Sequence, residues 1–391
     1  MLVAFDQDEF LTTPAEPGSI SGDGTTVVGS QLWRRSDGRL LRSALYIDVE
    51  SGAAKHIFGT SPRVASYATN VSFDGSIIVG HLHSSGEGFV YDRSDDTVAH
   101  LGRLPGGDDS SAPTDISDDG RYVIGSGDSS NASPPWRREA YLYDRQTDEF
   151  RLLGDLEGGN YWSAANAISG DGSTIVGNSM TADANEAFHY DINTHVMSSI
   201  STGETTVPED ISHDGSVVVG YKLFDPGEGP SEGEAYIWDA EHGMQSIRDL
   251  LDAEGQGEVI SGWDLARATG VSADGTTIVG WGRNPQGEQE GWVVSLRESL
   301  PTIGDFSFGG VVEQSDLNLV LDFWGLDTDL HGPPEGWNNT ADLNGRVDQE
   351  ELNLVLNNWG SSAAPSFEGF DIPEPASALL LGLCALVRRR P

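Results

Sequence analysis

The chain of 391 residues has one cysteine, Cys384, and only two lysines, Lys55 and Lys222. A lone thiol allows neither an intrachain disulfide nor a cysteine-based zinc site, so burial and hydrogen bonding must hold the fold. Against 22 basic side chains stand 62 acidic ones, and the formal net charge is −40. A surface of that sign repels phosphate backbones, which removes nucleic acid from the partners, and it favours divalent cations. Long apolar runs are also missing. The run from Ala376 to Val387 has 12 residues, short of the ~20 that a membrane-spanning helix needs. The opening Met1-Leu-Val-Ala-Phe-Asp lacks the basic start, apolar stretch and small-residue cleavage site of a secretory signal. No Gly-x-Ser-x-Gly elbow, phosphate loop or His-Glu-x-x-His helix occurs, so no enzymatic chemistry has a local signature. A pair of carboxylates brought together by folding, as in a glycosidase, stays open.

What the chain does contain is repetition. The phrase Ile20-Ser-Gly-Asp-Gly-Thr-Thr-Val-Val-Gly29 recurs as Val71 to Gly80, Ile116 to Gly125, Ile168 to Gly177, Ile211 to Gly220 and Val271 to Gly280. Its aspartates, Asp23, Asp74, Asp119, Asp171, Asp214 and Asp274, lie 43 to 60 residues apart, the spacing of propeller blades with loop insertions. Asp-Gly supplies the positive φ of a tight turn, so a two-residue hairpin is predicted between two strands. The turn accounts for the aspartates without catalytic or calcium chemistry. The following β-branched runs, such as Ile77-Ile78-Val79, show no polar alternation and read as strands covered on both faces. The closing glycines, from Gly29 to Gly280, mark close backbone approach.

A third strand follows each phrase, as in Gly88-Phe-Val-Tyr-Asp92, Ala140-Tyr-Leu-Tyr-Asp144 and Ala235-Tyr-Ile-Trp-Asp239, with large side chains two apart for blade packing. A fourth is readable at Thr97 to Leu101 and Phe150 to Leu153. Four strands per unit make an all-β propeller, with six blades over residues 1–300. The last unit lacks its own fourth strand, and a lone strand at Leu2 to Phe5 is expected to close the ring; the alternative is that residues 1–16 are the remnant of a further blade. His81 and His83 share one strand face, but no other His or Cys cluster makes them a metal site. Over about residues 17–295 the repeat resembles the HAF repeats of presumed extracellular bacterial proteins, which implies a repeat scaffold in an extracellular or envelope setting.

From Ile303 the pattern changes. Two segments, Gly304 to Gly325 and Thr340 to Gly360, share Leu-Asn-Leu-Val-Leu and end on Trp-Gly. Each approaches the spacing of a calcium loop, with oxygen ligands at positions 1, 3, 5, 7, 9 and 12 around a glycine. The first offers Asp305, Ser307, the Val311 carbonyl, Glu313 and Asp316; Gly309 leaves one position without a side chain. The second offers Thr340 in place of the first aspartate, then Asp342, Asn344, the Arg346 carbonyl, Asp348 and Glu351. After each loop, Leu317, Val320, Leu321 and Trp324, and likewise Leu352, Val355, Leu356 and Trp359, fall on one helical face. Two loop-helix units over residues 301–365 resemble a type I dockerin. That resemblance implies Ca2+-stabilised folding and docking onto a cohesin-like protein, often in polysaccharide-degrading assemblies.

In residues 366–391, Pro-Glu-Pro, an apolar run and Arg388-Arg-Arg390 follow in order. The tail resembles a PEP-CTERM sorting signal, which implies transient membrane contact and processing by a sorting protease of the exosortase type. Such a tail calls for export, so the expectation is that the recorded start lies downstream of the true one. Every strong signal is architectural or addressing. The reading is therefore a non-catalytic, secreted or envelope-associated binding or scaffold protein, whose propeller takes a glycan or an extracellular protein. Two alternatives stay open: a glycoside hydrolase or lyase of a polysaccharide-degrading system, and an adhesin or structural envelope component.

Overall fold

Each Ser-x-Asp-Gly phrase turns the chain between an inner strand and a second strand, and the computed structural model repeats that hairpin six times. It describes residues 16–34, 40–59, 65–83, 85–107, 110–131, 138–159, 161–201, 203–224, 232–253 and 256–296, with the short pieces 320–321 and 381–382. The chain divides into two compact units, Met1–Val293 and Val294–Pro391. The first is built of antiparallel sheets in which strands follow one another in chain order. The six inner strands are Glu16–Ile20, Ser66–Val71, Ser111–Ile116, Ser163–Ile168, Thr206–Ile211 and Asp264–Val271. Inner strands of successive sheets pack against one another, so they surround a common axis. Second strands such as Ile77–Leu82 and third strands such as Gly88–Asp92 lie progressively farther out. Five sheets end in an outer strand, for example Thr97–His100 and Glu149–Gly154. The only helix long enough to have a range among the described residues is the seven-residue Ile247–Ala253.

The turn differs from the two-residue hairpin that Asp-Gly predicts. Ile20 pairs with Val27, the Ser21 N–H donates to the Thr26 carbonyl, and the Gly24 N–H donates to the Ser21 carbonyl. Only the glycine takes positive φ, 73° at Gly24. The aspartate is not among the residues of positive φ; one oxygen of its side chain holds the turn instead. Asp23 Oδ1 accepts from the Ser21 hydroxyl (2.7 Å), the Thr25 N–H (2.9 Å) and the Thr25 hydroxyl (2.8 Å), while Ser21 Oγ accepts the Thr26 N–H at 2.9 Å. The same serine–aspartate clasp recurs at Ser72–Asp74, Ser117–Asp119, Ser169–Asp171, Ser212–Asp214 and Ser272–Asp274.

Every inner strand carries a bulge opposite the closing glycine. The register slips at Gly18, Thr69, Thr114, Asn166, Glu209 and Thr269. The bulge drives an inner-strand carbonyl toward the second strand, and the third-strand aromatic crosses the same spot. A Cβ on Gly177 would sit 2.1 Å from the Ala164 carbonyl oxygen and 2.7 Å from Phe188 Cζ. Glycine is thus required for both contacts at once. The aromatics so accommodated, Phe89, Tyr141, Phe188, Tyr236 and Trp292, are almost entirely buried, each contributing ~2 kcal/mol of burial.

Neighbouring blades are joined by apolar faces and by a repeated polar clip. Val79, Val90 and Leu101 of the second blade pack on Ile116 and Val123 of the third. The third-strand N–H of one blade donates to an inner-strand hydroxyl of the next: Ala44 to Ser66, Gly88 to Ser111, Ala140 to Ser163 and Ala187 to Thr206, each at 3.0 Å. The sixth blade has Ala266 at this position. At the ends of the array, Ile20 is 56% exposed and Val279 is 42% exposed. Their counterparts Val71 and Val79 are buried, so among the described residues Ile20 and Val279 lack the cover that a neighbouring blade gives those positions elsewhere. The strand expected at Leu2 to Phe5 lies outside the described residues. So does most of the 301–365 module; of it, Val320 and Leu321 are in a helical turn, Val320 buried and Leu321 exposed.

Candidate functional site

The two ends of the propeller axis differ in chemistry because different repeat positions meet there. At the hairpin end, the residue between serine and aspartate is Gly22, Phe73, Asp118, Gly170, His213 or Ala273. Their backbones form a chain from blade to blade: Asp23 N–H to Phe73 O, Phe73 N–H to Asp118 O, Asp118 N–H to Gly170 O, Asp171 N–H to His213 O and His213 N–H to Ala273 O, at 2.9 to 3.1 Å. Side chains at this position therefore project at the mouth. Phe73 is 48% exposed and its ring covers Gly22. His213 Nδ1 lies 2.8 Å from Asp118 Oδ2, and the pair spans Gly170, where a Cβ would come within 2.2 Å of the imidazole.

Just below this mouth is a polar layer supplied by the residue that precedes the Ile or Val of the phrase in four of the six blades, Ser19, Asn70, Asp115 and Asp210; the fourth and sixth carry Ala167 and Gly270 there. The Ser19 hydroxyl donates to Asn70 Oδ1 (2.7 Å), and Asn70 Nδ2 donates to Asp115 Oδ1 (2.5 Å). Asp115 also accepts the N–H groups of Ile116 and Ile168, at 2.8 and 2.9 Å. Asp210 repeats the arrangement with Ile211 and Val271, at 2.9 and 2.8 Å. Burial pushes Asp115 up to about 7 in spite of those donors, with the charges of Asp210 and Asp118 adding to the rise. Burial likewise raises Asp210 to about 6. Two of the clasp aspartates move the other way: the Ser21 hydroxyl and Thr25 hold Asp23 below the usual carboxylate range, and Ser216 with Ser212 does so for Asp214.

The opposite end gathers aromatic and basic side chains, although the chain has few of the latter. Tyr67 stacks on His81 at 5.2 Å and lies 5.7 Å from His83, with the Arg42 guanidinium 5.6 Å from its ring centre. Arg42 itself pairs with Glu16. Both histidines are thus occupied with an aromatic ring, and burial lowers the His81 pKa. Arg138 donates to Ser126 Oγ at 2.6 Å, and Lys222 pairs with Glu204 at 2.6 Å. Arg267, at the inner-strand position that Tyr67 holds in the second blade, lies 4.0 Å from the Tyr221 ring centre and 5.3 Å from that of Trp281. Glu209, on the bulge of the fifth blade, is close enough for the Arg267 charge to oppose the rise that burial imposes on its carboxyl.

None of these side chains stands out in the sequence as a site. Their signal is departure: where other blades carry Ala112, Ala164 or Val207, the second and sixth carry Tyr67 and Arg267. The eleven candidate calcium ligands, Asp305, Ser307, Val311, Glu313, Asp316, Thr340, Asp342, Asn344, Arg346, Asp348 and Glu351, lie outside the described residues. Among the described residues no group of three or more His, Cys, Asp or Glu side chains is placed to hold a metal ion. No helix among them is long and apolar enough to cross a membrane.

No protein-family profile and no curated protein sequence matches the chain. Solved structures do. The β-propeller domain of the Trilobed protease from Pyrococcus furiosus is similar at 14% identity and a TM-score of 0.50, over 75% of this chain and 83% of that one. An oligogalacturonate lyase from Vibrio parahaemolyticus is similar at 13% identity and a TM-score of 0.50, over 75% and 81%. TolB from Acinetobacter baumannii aligns with a TM-score of 0.45 at 14% identity, and the match spans 62% of its length. At such identities the likeness establishes the fold alone: the first unit is a β-propeller.

Proposed function

We propose that the chain is a non-catalytic, secreted or envelope-associated binding scaffold whose propeller takes its ligand at an end of the axis. The observation that carries this reading is the division of labour among the repeats. The repeated serines, aspartates and aromatics are spent on clasps, clips and packing, while the residues that depart from the repeat collect at the two mouths. A fixed frame with variable side chains at one place is how a binding surface is built on a repeat fold. The C-terminal module would add a Ca2+-dependent docking site for a cohesin-like protein, and the tail would deliver the protein to the envelope through an exosortase-type protease.

The test is capture with the full chain, in calcium and then in chelator, from the secreted fraction of its source together with a panel of extracellular saccharides. A saccharide held in both conditions supports propeller binding, and a protein released only by chelator supports docking. Absence of both refutes the scaffold reading. A glycan-active hydrolase or lyase is the second reading, favoured by the His213–Asp118 pair above the raised carboxyl of Asp115. Turnover of a polysaccharide that Asp118→Asn abolishes would establish it.

A further inference from the structure

We infer that Arg267, Tyr221, Trp281 and Glu209 form a subsite for a carboxylated sugar, a hexuronate unit of an acidic polysaccharide. The inference rests on the binding reading above and specifies its ligand. Among the described residues Arg267 makes no hydrogen bond and no ion pair; its contacts are the faces of Tyr221 and Trp281, at 4.0 and 5.3 Å. In a chain of net charge −40, a guanidinium in no direct ion pair is unusual, because carboxylates are abundant; Glu209 acts on it through its field alone. Stacking fixes the plane of the group and leaves its N–H edge free for a two-point contact with an external carboxylate.

The surroundings narrow the class. Glu209 shares the Arg267 field with no hydrogen bond among the causes of its shift, and it offers acceptors to the hydroxyls that flank a uronate carboxylate. Trp281 gives an apolar face for a pyranose ring. Two further donors nearby have no partner: the Tyr236 hydroxyl and Trp292 Nε1 are buried and unsatisfied. The equivalent hydroxyl of the third blade, on Tyr141, donates to the Ser111 carbonyl at 2.8 Å. The charges of Glu209 and Tyr221 both act on Tyr236, which places its hydroxyl beside the same cluster. Buried donors are paired as a rule; of the four buried side-chain atoms without a partner among the described residues, His81 Nδ1 and Asn185 Oδ1 lie on other blades, and the Tyr236 hydroxyl lies beside Glu209 and Tyr221. A neutral sugar would engage Glu209 through its hydroxyls and leave the Arg267 charge unmatched; a uronate brings hydroxyls for Glu209 and a single negative charge for Arg267, where a phosphate monoester would bring a charge nearer about −2 against the same Glu209.

The experiment is calorimetric titration of the full chain with trigalacturonate and with cellotriose, in the unsubstituted protein and in Arg267→Gln, Arg267→Lys and Glu149→Gln, with thermal melts to verify folding. Trigalacturonate is expected to bind and cellotriose to bind at least tenfold more weakly. Arg267→Gln should lose at least tenfold for the acidic sugar, Arg267→Lys should lose part of that, and Glu149→Gln, at an exposed outer-strand position, should lose nothing. Equal binding of both sugars, or trigalacturonate binding unchanged in a folded Arg267→Gln, overturns the subsite while leaving propeller binding intact. If neither sugar binds, the uronate assignment is wrong; the capture experiment then decides the wider reading separately.

Discussion

Replacing Ser163 with alanine removes one small group and strands two larger ones. Its hydroxyl accepts the Ala140 N–H from the preceding blade at 3.0 Å and donates to the Gly154 carbonyl at 2.5 Å. Ala140 is fully buried, so its N–H has no route to water once the hydroxyl is gone. An orphaned buried donor costs ~1–3 kcal/mol, and the lost bond to Gly154 adds ~1 kcal/mol. The expected destabilisation is therefore about 2–4 kcal/mol, a fall of ~4–12 °C in Tm for a domain of this size. Urea unfolding followed by tryptophan fluorescence would read it as a lower midpoint at unchanged slope. The fifth blade supplies the control, since Thr206 fills the same place with its own hydroxyl at 3.0 Å from the Ala187 nitrogen. Ser163→Thr should retain most of the stability that Ser163→Ala loses. If alanine costs under 0.5 kcal/mol, or threonine costs as much as alanine, the clip does not hold the blades and the reasoning fails.

Gly177→Ala should cost ~2 kcal/mol or more, because the backbone oxygen 2.1 Å from the new Cβ cannot rotate away; the same change at Gly203, with open space around it and φ of 71°, should cost ~1 kcal/mol, and urea midpoints compare the two. Ala266→Ser should stabilise by ~0.5–1.5 kcal/mol by restoring the missing clip, measured as a rise in Tm. Asp115 and Asp210 titrate near 7 and 6 in the fold against 3.8 in a free chain, so the folded state holds more protons over that interval. Their contribution is complete below pH ~4 and is lost as the pH rises through 6 and 7; Tm should fall between pH ~4 and ~7, with a shallower slope in Asp115→Asn. Chelation should lower the melting temperature of residues 301–365 within the full chain, and Asp342→Ala with Glu351→Ala should abolish that response; a calcium-insensitive melt of the unsubstituted protein would remove the loops from consideration.

Local backbone instructions were readable from the chain, and long-range neighbours were not. The Ser-x-Asp-Gly phrase marks a turn wherever it occurs, because its hydrogen bonds close within six residues, as from Ser21 to Thr26. The run Ile77-Ile78-Val79 likewise announces a strand buried on both faces, and all three residues are buried. The aspartate's own conformation was misjudged, since propensity favours Asp-Gly in a two-residue turn but the serine clasp needs three more residues. The bulge had no mark of its own: glycine, threonine, asparagine and glutamate all occupy it. His213 meets Asp118 across 95 positions, and Arg267 meets Tyr221 across a blade boundary. Such meetings are set by the order of blades round the axis. A one-dimensional pattern records them only as irregularities in an otherwise regular text.

The blade-to-blade chain at the hairpin end uses main-chain atoms alone, and glycine, phenylalanine, aspartate, histidine and alanine all serve in it. The frame therefore takes no account of what side chain it carries there. Selection can rewrite a face contributed by six distant stretches of sequence, one codon at a time, without renegotiating the main-chain bonds that join the blades there. Only Gly22 and Gly170 are tied to their neighbours, because Phe73 and the His213–Asp118 pair lie across them. A library varying the other four positions, with those two glycines kept, would sample new recognition surfaces at nearly constant thermal tolerance.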